Sequence, residues 1–289
     1  IGPMTYRVVW FKRDLRVHDH APLAEAARLG PVLCLYVLEP ALWQQPDAAR
    51  QHLGFVQESL RDLQADLKRL GGRLYLAVGD AVEVLERLYR QAPCLELLSH
   101  EETGNGASFE RDRRVKRWCV AHGLAWREFR QVGVVRGLQE RRHWVQQWEG
   151  LMHGAVAEVP DLHTADVPRF NDTWPSADTL ELAPHEPPQR QRGGRTLGLE
   201  VLHDFLGERS ASYRGGISSP LSAPTACSRL SPYLTWGCLS LREVVQATRL
   251  RLEDAKLSSR QRQGLEGFMS RLHWHCHFIQ KLETEPDIE

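Results

Sequence analysis

Tyr6-Arg7-Val8-Val9-Trp10-Phe11 runs straight into Lys12-Arg13-Asp14-Leu15-Arg16, and Asp19-His20-Ala21-Pro22-Leu23 follows shortly after. The first six residues are a short apolar run with a β-branched pair, which reads as a buried strand. The charges behind it stand at the end of that strand, where an open parallel sheet carries its ligand crevice. No glycine-rich phosphate loop accompanies the turn, so a dinucleotide site of the GxGxxG kind is not supported. Taken alone, the turn reads as a salt-bridged loop that fastens the sheet to a neighbour.

Outward from this strand, four more apolar runs read as strands: residues 31–38, 73–78, 94–99 and 126–129. Helical patterns separate them. The clearest sets Leu53, Val56, Leu60, Leu63, Leu67 and Leu70 on one stripe, ended by Gly71-Gly72. Shorter helices are expected at 81–88 and 110–120. Strand alternating with helix predicts an α/β fold, a Rossmann-like doubly wound parallel sheet over residues 4–135, closing on its own. A helix at 138–152 carries Trp144 and Trp148 one turn apart. Residues 158–195 hold six prolines and little periodicity. Residues 136–196 are therefore expected to be a connector between domains. From Leu197 the pattern is helical only (197–206, 241–252, 260–282), which predicts the first part of an all-α domain over 197–289. No internal repeat is present.

The chain has 289 residues, enough for two domains, with 42% hydrophobic and 26% charged residues. Lys plus Arg and Asp plus Glu number 37 each, so no overall charge draws it to nucleic acid. A polyanion site has to be a local patch. Six cysteines include no CxxC pair, which indicates a reduced, cytoplasmic protein using thiols as small apolar residues. No apolar run approaches a membrane span, and no signal peptide is read.

A second informative stretch is Thr225-Ala226-Cys227-Ser228-Arg229-Leu230-Ser231-Pro232-Tyr233-Leu234-Thr235-Trp236-Gly237-Cys238-Leu239-Ser240. Thr225 or Ser228 can cap a short helix with Pro232 in its first turn. Gly237 stops it, and Ser240 can cap the next. Closely spaced helix starts, with Ser hydroxyls and Arg229 added, make a seat for an anion such as a pyrophosphate. Ordinary capping of a helical hairpin is the bland alternative.

The run Phe11-Lys12-Arg13-Asp14-Leu15-Arg16 with Asp19-His20-Ala21-Pro22-Leu23 resembles the opening of the photolyase/cryptochrome family. Cys227-Ser228-Arg229-Leu230-Ser231 with Gly237-Cys238-Leu239-Ser240 resembles that family's flavin-pyrophosphate clamp. Arg271-Leu272-His273-Trp274 resembles the helix beneath the flavin. The three motifs fall in the family's order across an α/β domain, a linker and a helical domain.

The resemblance implies a folded FAD in the helical domain and a light-driven DNA-repair lyase that splits pyrimidine dimers by electron transfer from reduced flavin. Carried over by position, Tyr213, Ser228, Arg229, Leu230, Ser231, Arg271 and His275 are the cofactor-binding residues, and Trp274 faces the lesion in DNA. A second, antenna chromophore of folate or flavin type would lie near Asn105 and Glu110. Cys227 replaces the family's usual hydroxyl residue, Arg271 its acidic or amide residue, and His275 its arginine. The family continues well past Glu289, so catalytic residues are expected beyond this position, and the 289-residue chain alone is expected to bind little FAD.

His273, His275, Cys276 and His277 crowd one helix. His273 and His277 lie one turn apart, but no fourth ligand of suitable spacing follows, so no tightly bound zinc is expected. Basic residues cluster at Arg111, Arg113, Arg114, Lys116 and Arg117, read as a solvated face, at Arg141-Arg142, and at Arg190, Arg192 and Arg195, read as the better candidates for phosphate contact. Two alternatives stand beside the lyase: a cryptochrome photoreceptor that repairs nothing, and a nucleotide-binding α/β module without light chemistry. Flavin content separates the last, and repair of dimer-containing DNA separates the first two.

Overall fold

The computed structural model describes residues 5–44, 50–102, 106–131, 144–167, 170–176, 179–180, 190–213 and 228–284. The chain divides into two compact units, Ile1–Phe129 with Ala157–Gly194, and Arg130–Val156 with Arg195–Glu289.

The first unit is a five-stranded sheet in the order β3-β2-β1-β4-β5. Its strands are β1 (Arg7–Phe11), β2 (Val32–Leu38), β3 (Leu74–Val78), β4 (Glu96–His100) and β5 (Ala125–Phe129), all paired in parallel. All seven residues of β2 are buried, and four of five in β1. A strand covered on both faces needs such an uninterrupted apolar run. Between the strands lie α1 (Ala21–Leu29), the short α2 (Pro40–Trp43), α3 (Arg50–Arg69), α4 (Ala81–Gln91) and α5 (Gly106–Ala121). Leu53, Val56, Leu60, Leu63 and Leu67 are buried, as their spacing on α3 predicts. Cys34 and Cys119 are buried too, and burial pushes both thiols up to about 12.

The domain limit at residue 135 needs correction, because residues 157–194 belong to this unit. Thr164 bridges Val32 in parallel, and Val167 and Phe170 join the core. A Cβ on Gly71 would meet the Leu162 carbonyl oxygen at 2.7 Å, so the glycine pair that ends α3 also lets this segment pass close by. Asn171 Oδ1 accepts from Leu76 N (2.8 Å), and Asp172 Oδ2 accepts from Val78 N (2.8 Å). These side chains occupy the outer backbone donors of β3, the edge strand, which would otherwise be open to pairing with another chain. A segment without periodicity is thus an edge cover.

The second unit is helical: α6 (Trp144–His153), α7 (Arg195–Leu206), a 3-10 turn (Arg209–Ser212), α8 (Ser231–Thr235), α9 (Leu241–Leu252) and α10 (Ser259–Thr284). The C-terminal carbonyls of α6 are satisfied from α9, since Gln246 Nε2 donates to Met152 O and Gly154 O at 2.9 Å each. Phe205, Tyr213 and Phe268 form an edge-to-face aromatic cluster with centroids 4.7–5.8 Å apart. Among the described residues no helix is long and apolar enough to cross a membrane.

Candidate functional site

The charges after β1 do not remain in solvent. Asp14 is buried and holds two imidazoles on one oxygen, His20 Nε2 at 2.7 Å and His100 Nδ1 at 2.8 Å. Its other oxygen accepts from Lys12 N at 2.7 Å. Burial disfavours the Asp14 charge, yet the attraction of His20 and the hydrogen bonds from both rings hold its carboxyl well below the usual range. Burial drives His100 down to about 3, against the pull of Asp14. The Nδ1 lone pair of His20 is spent on Leu23 N (3.1 Å), where it caps α1.

Asp14, His20 and His100 bring potential metal ligands within 4.8 Å of one another. A tetrahedral ion with bonds of about 2.1 Å holds its ligand atoms roughly 3.4 Å apart. The contacts of 2.7 and 2.8 Å are hydrogen bonds instead, so the trio locks the loop after β1 to α1 and β4. The salt-bridged-loop reading of the turn is therefore the one the geometry bears out.

A second cluster sits at the carboxyl ends of β1, β2 and β4. Arg111 of α5 ion-pairs with Glu39, with Glu102 and, through Nε, with Asp112 at 2.7 Å. Lys12 Nζ lies 3.8 Å from Asp112 and 4.0 Å from Glu102, over the Trp10 ring at 4.7 Å. Burial, with Glu102 and Asp112 adding to it, pushes Glu39 up to about 7 against the pull of Arg111. Glu102 is held low despite its burial, by Arg111, Lys12 and Arg13. Arg111 is thus no part of a solvated basic face, although Arg113, Arg114, Lys116 and Arg117 are exposed. His100, Glu39 and Glu102 went unremarked in the sequence because they stand at or just past strand ends with no motif around them. Their common signal is position at the carboxyl edge of adjacent strands.

In the helical unit the predicted anion seat narrows. Ser240 caps α9 with Glu243 in a reciprocal capping box, and Glu243 also receives both guanidinium nitrogens of Arg195 at 2.9 Å. That helix start is spent on its own chain. Ser228 is not the cap of α8; Leu230 occupies that position with no side-chain cap bond, and Ser228 Oγ accepts from Leu230 N at 3.4 Å. Residues 225–227 lie outside the described residues. What remains is a compact turn. Ser228 is half-buried, Arg229 and Ser231 are exposed, and Leu230 is fully buried beneath them. Arg229 has φ 61°, the left-handed region that a side chain disfavours by about 1–2 kcal/mol. Tyr233 of α8 presses on Gly198 of α7, where a Cβ would come within 3.0 Å of the ring.

Tyr213 is buried between Phe205 and Phe268, so its ring is a core element of this turn region. Arg271 is exposed on α10. Nothing is described of the side chains of Trp274, His275, Cys276 and His277, while His273 meets Trp148 edge-on at 4.9 Å. Arg190 and Arg192 do not offer themselves to phosphate, because both pair with Glu58 (2.6 and 2.8 Å). Asn105 lies outside the described residues, and Glu110 is exposed on α5, 3.2 Å from Arg113.

A parallel sheet with a buried loop lock, joined in sequence to a helical unit with a strained serine–arginine turn, defines the class of two-part α/β and all-α proteins. Residues 7–137 match the family model described as DNA photolyase. The chain is 26% identical to cryptochrome DASH of Synechocystis sp., over 87% of this chain and 56% of that protein. It is 28% identical to a deoxyribodipyrimidine photo-lyase of Streptomyces griseus, over 98% of this chain and 62% of that one. A crystal structure of the Synechocystis cryptochrome superposes with a TM-score of 0.81 at 19% identity, covering 98% of this chain and 62% of that chain. Over these matches the chain is similar in sequence and fold to the photolyase/cryptochrome family. It spans 56% and 62% of the lengths of these two relatives.

Proposed function

We propose that the helical unit holds the pyrophosphate of FAD and that the full-length protein is a blue-light-driven lyase for pyrimidine dimers in DNA. Arg229 carries this reading. An exposed arginine held at φ 61° between a half-buried and an exposed serine is a strained backbone position, and such outliers gather at ligand sites. Ser228, Arg229 and Ser231 fit the group: two hydroxyls and a guanidinium offer charge-assisted donors to phosphate oxygens on one short turn. Leu230, being buried, serves from beneath as the floor, and Tyr213 belongs to the aromatic core with Phe205 and Phe268. Bound FAD would supply the light absorption and the transferable electron. The protein's own part is to grip the diphosphate and hold the turn rigid.

A second reading, a photoreceptor that repairs nothing, is favoured by the relative named cryptochrome DASH. An antenna chromophore near Asn105 and Glu110 stays part of the proposal; Glu110 is exposed there, 3.2 Å from Arg113. The test of the clamp replaces Arg229 and Ser231 by Ala in the full-length protein. Each lost charge-assisted bond, about 1.5–3 kcal/mol, should weaken FAD binding roughly 10- to 150-fold. Undiminished FAD affinity refutes the clamp. Splitting of a dimer-containing oligonucleotide under blue light then decides between lyase and photoreceptor.

A further inference from the structure

Arg209 opens the 3-10 turn, and its guanidinium is held on several sides. Nε donates to Asp204 Oδ2 at 2.5 Å. The two hydrogens of Nη2 divide between Val201 O at 3.1 Å and Ser228 O at 3.4 Å. The guanidinium carbon lies 5.8 Å from the centre of the Phe205 ring. Val201, Asp204 and Phe205 all belong to α7, whereas Ser228 is the first residue of the strained turn, 19 residues further along the chain. A planar guanidinium fixed by a carboxylate, a carbonyl and an aromatic ring has little freedom left, so the Nη2 hydrogen on Ser228 O has a set direction.

That direction bears on the turn through the geometry of the peptide. In a trans peptide the C=O and the following N–H point opposite ways in one plane. Gripping the Ser228 carbonyl toward α7 therefore fixes the plane shared with Arg229 and turns the Arg229 N–H away from α7. The same plane sets the φ of Arg229, the dihedral found at 61°. We infer that Arg209 is a positioning residue for the phosphate clamp: it anchors the Ser228–Arg229 peptide to α7 and so presents the backbone N–H and side chain of Arg229 to an anionic ligand. This rests on the clamp reading given above. Substitution of Arg209 leaves every proposed ligand-touching group in place, so any loss of phosphate recognition has to act through the turn.

The experiment measures dissociation constants of the full-length apoprotein for FAD and for riboflavin, which has the same ring but no phosphate. Arg209→Leu should weaken FAD by about tenfold, the scale of one hydrogen bond to a charged group, and leave riboflavin unchanged. Arg209→Lys, which keeps the charge but not the fork, should fold readily and show a smaller loss with the same selectivity for FAD. Equal weakening of both ligands would make Arg209 a general structural prop and overturn the inference, as would unchanged FAD binding in both variants. Arg229→Ala runs alongside. If it too leaves FAD affinity intact, the clamp itself is wrong; if it weakens FAD while the Arg209 variants do not, only the role of Arg209 falls.

Discussion

A Cβ added to Gly264 would lie 1.6 Å from the carbonyl oxygen of Ser210. Helix α10 and the 3-10 turn therefore meet backbone to backbone, and the turn is followed directly by Tyr213, packed on Phe268 of α10. Ser210 is fully buried there, its hydroxyl donating to Gly207 O at 3.0 Å. Gly264→Ala should destabilise the helical unit by about 1–3 kcal/mol, the usual cost of overpacking a tight contact. Urea denaturation followed by tryptophan fluorescence measures this. A change below about 0.5 kcal/mol would mean that the two segments separate freely.

Asp14→Ala should be costly in the α/β unit. It leaves the inward N–H groups of His20 and His100, and Lys12 N, without their shared acceptor. Each buried donor so orphaned costs about 1–3 kcal/mol, so a loss of roughly 3 kcal/mol or more is expected. Asp14→Asn, which keeps one acceptor oxygen, should lose less. Equal stability of the two variants would show that the imidazoles find other partners.

Glu39 gives the α/β unit a pH dependence. Its folded-state value of about 7 stands above the ordinary value of 4.5, so between those limits the folded protein binds more protons than the unfolded one. Stability then falls as pH rises through this window, because the slope follows protons bound unfolded minus protons bound folded. Groups facing Glu39 are Arg111 and Asp112 of α5 and Glu102 after β4. Glu39→Gln should flatten the profile between pH 4.5 and 7 and leave that above pH 8 parallel to wild type. Thermal midpoints at half-unit steps of pH test it, and an unaltered slope in the variant removes Glu39 as the source.

Residues 157–194 should be required for the α/β unit to stay monomeric. A fragment ending at 135 lacks Asn171 and Asp172, so the donors of Leu76 and Val78 on edge strand β3 are left open. Size-exclusion chromatography should show that fragment self-associating, while a co-expressed peptide of residues 157–194 restores a single-sized species. A monomeric 4–135 fragment would show that the edge needs no cover.

Much of the sheet was legible because its signals are local. Val8 to Phe11 and residues 32–38 are apolar runs that can only be buried strands, and the leucine stripe of α3 has a clear helical period. The edge cover was not legible, since Asn171 and Asp172 act by hydrogen bonds across more than 90 residues and leave no periodicity. Arg111 misled for a related reason: four of the five cations on α5 are exposed, and only the fold shows that the fifth faces Glu39. At the candidate clamp the residue types were readable in order. The left-handed backbone at Arg229 was not, because nothing in the sequence of a non-glycine residue announces a positive φ.

The identity of the flavin retained by the purified full-length protein tests the central claim most directly. A diphosphate clamp at Ser228, Arg229 and Ser231 distinguishes FAD from flavins that lack the pyrophosphate. Heat release after exhaustive dialysis, followed by chromatography of the supernatant, should yield about one equivalent of FAD per chain, and the Arg229→Ala protein should retain much less. Recovery of FMN or riboflavin in place of FAD, or no flavin at all, would contradict the account.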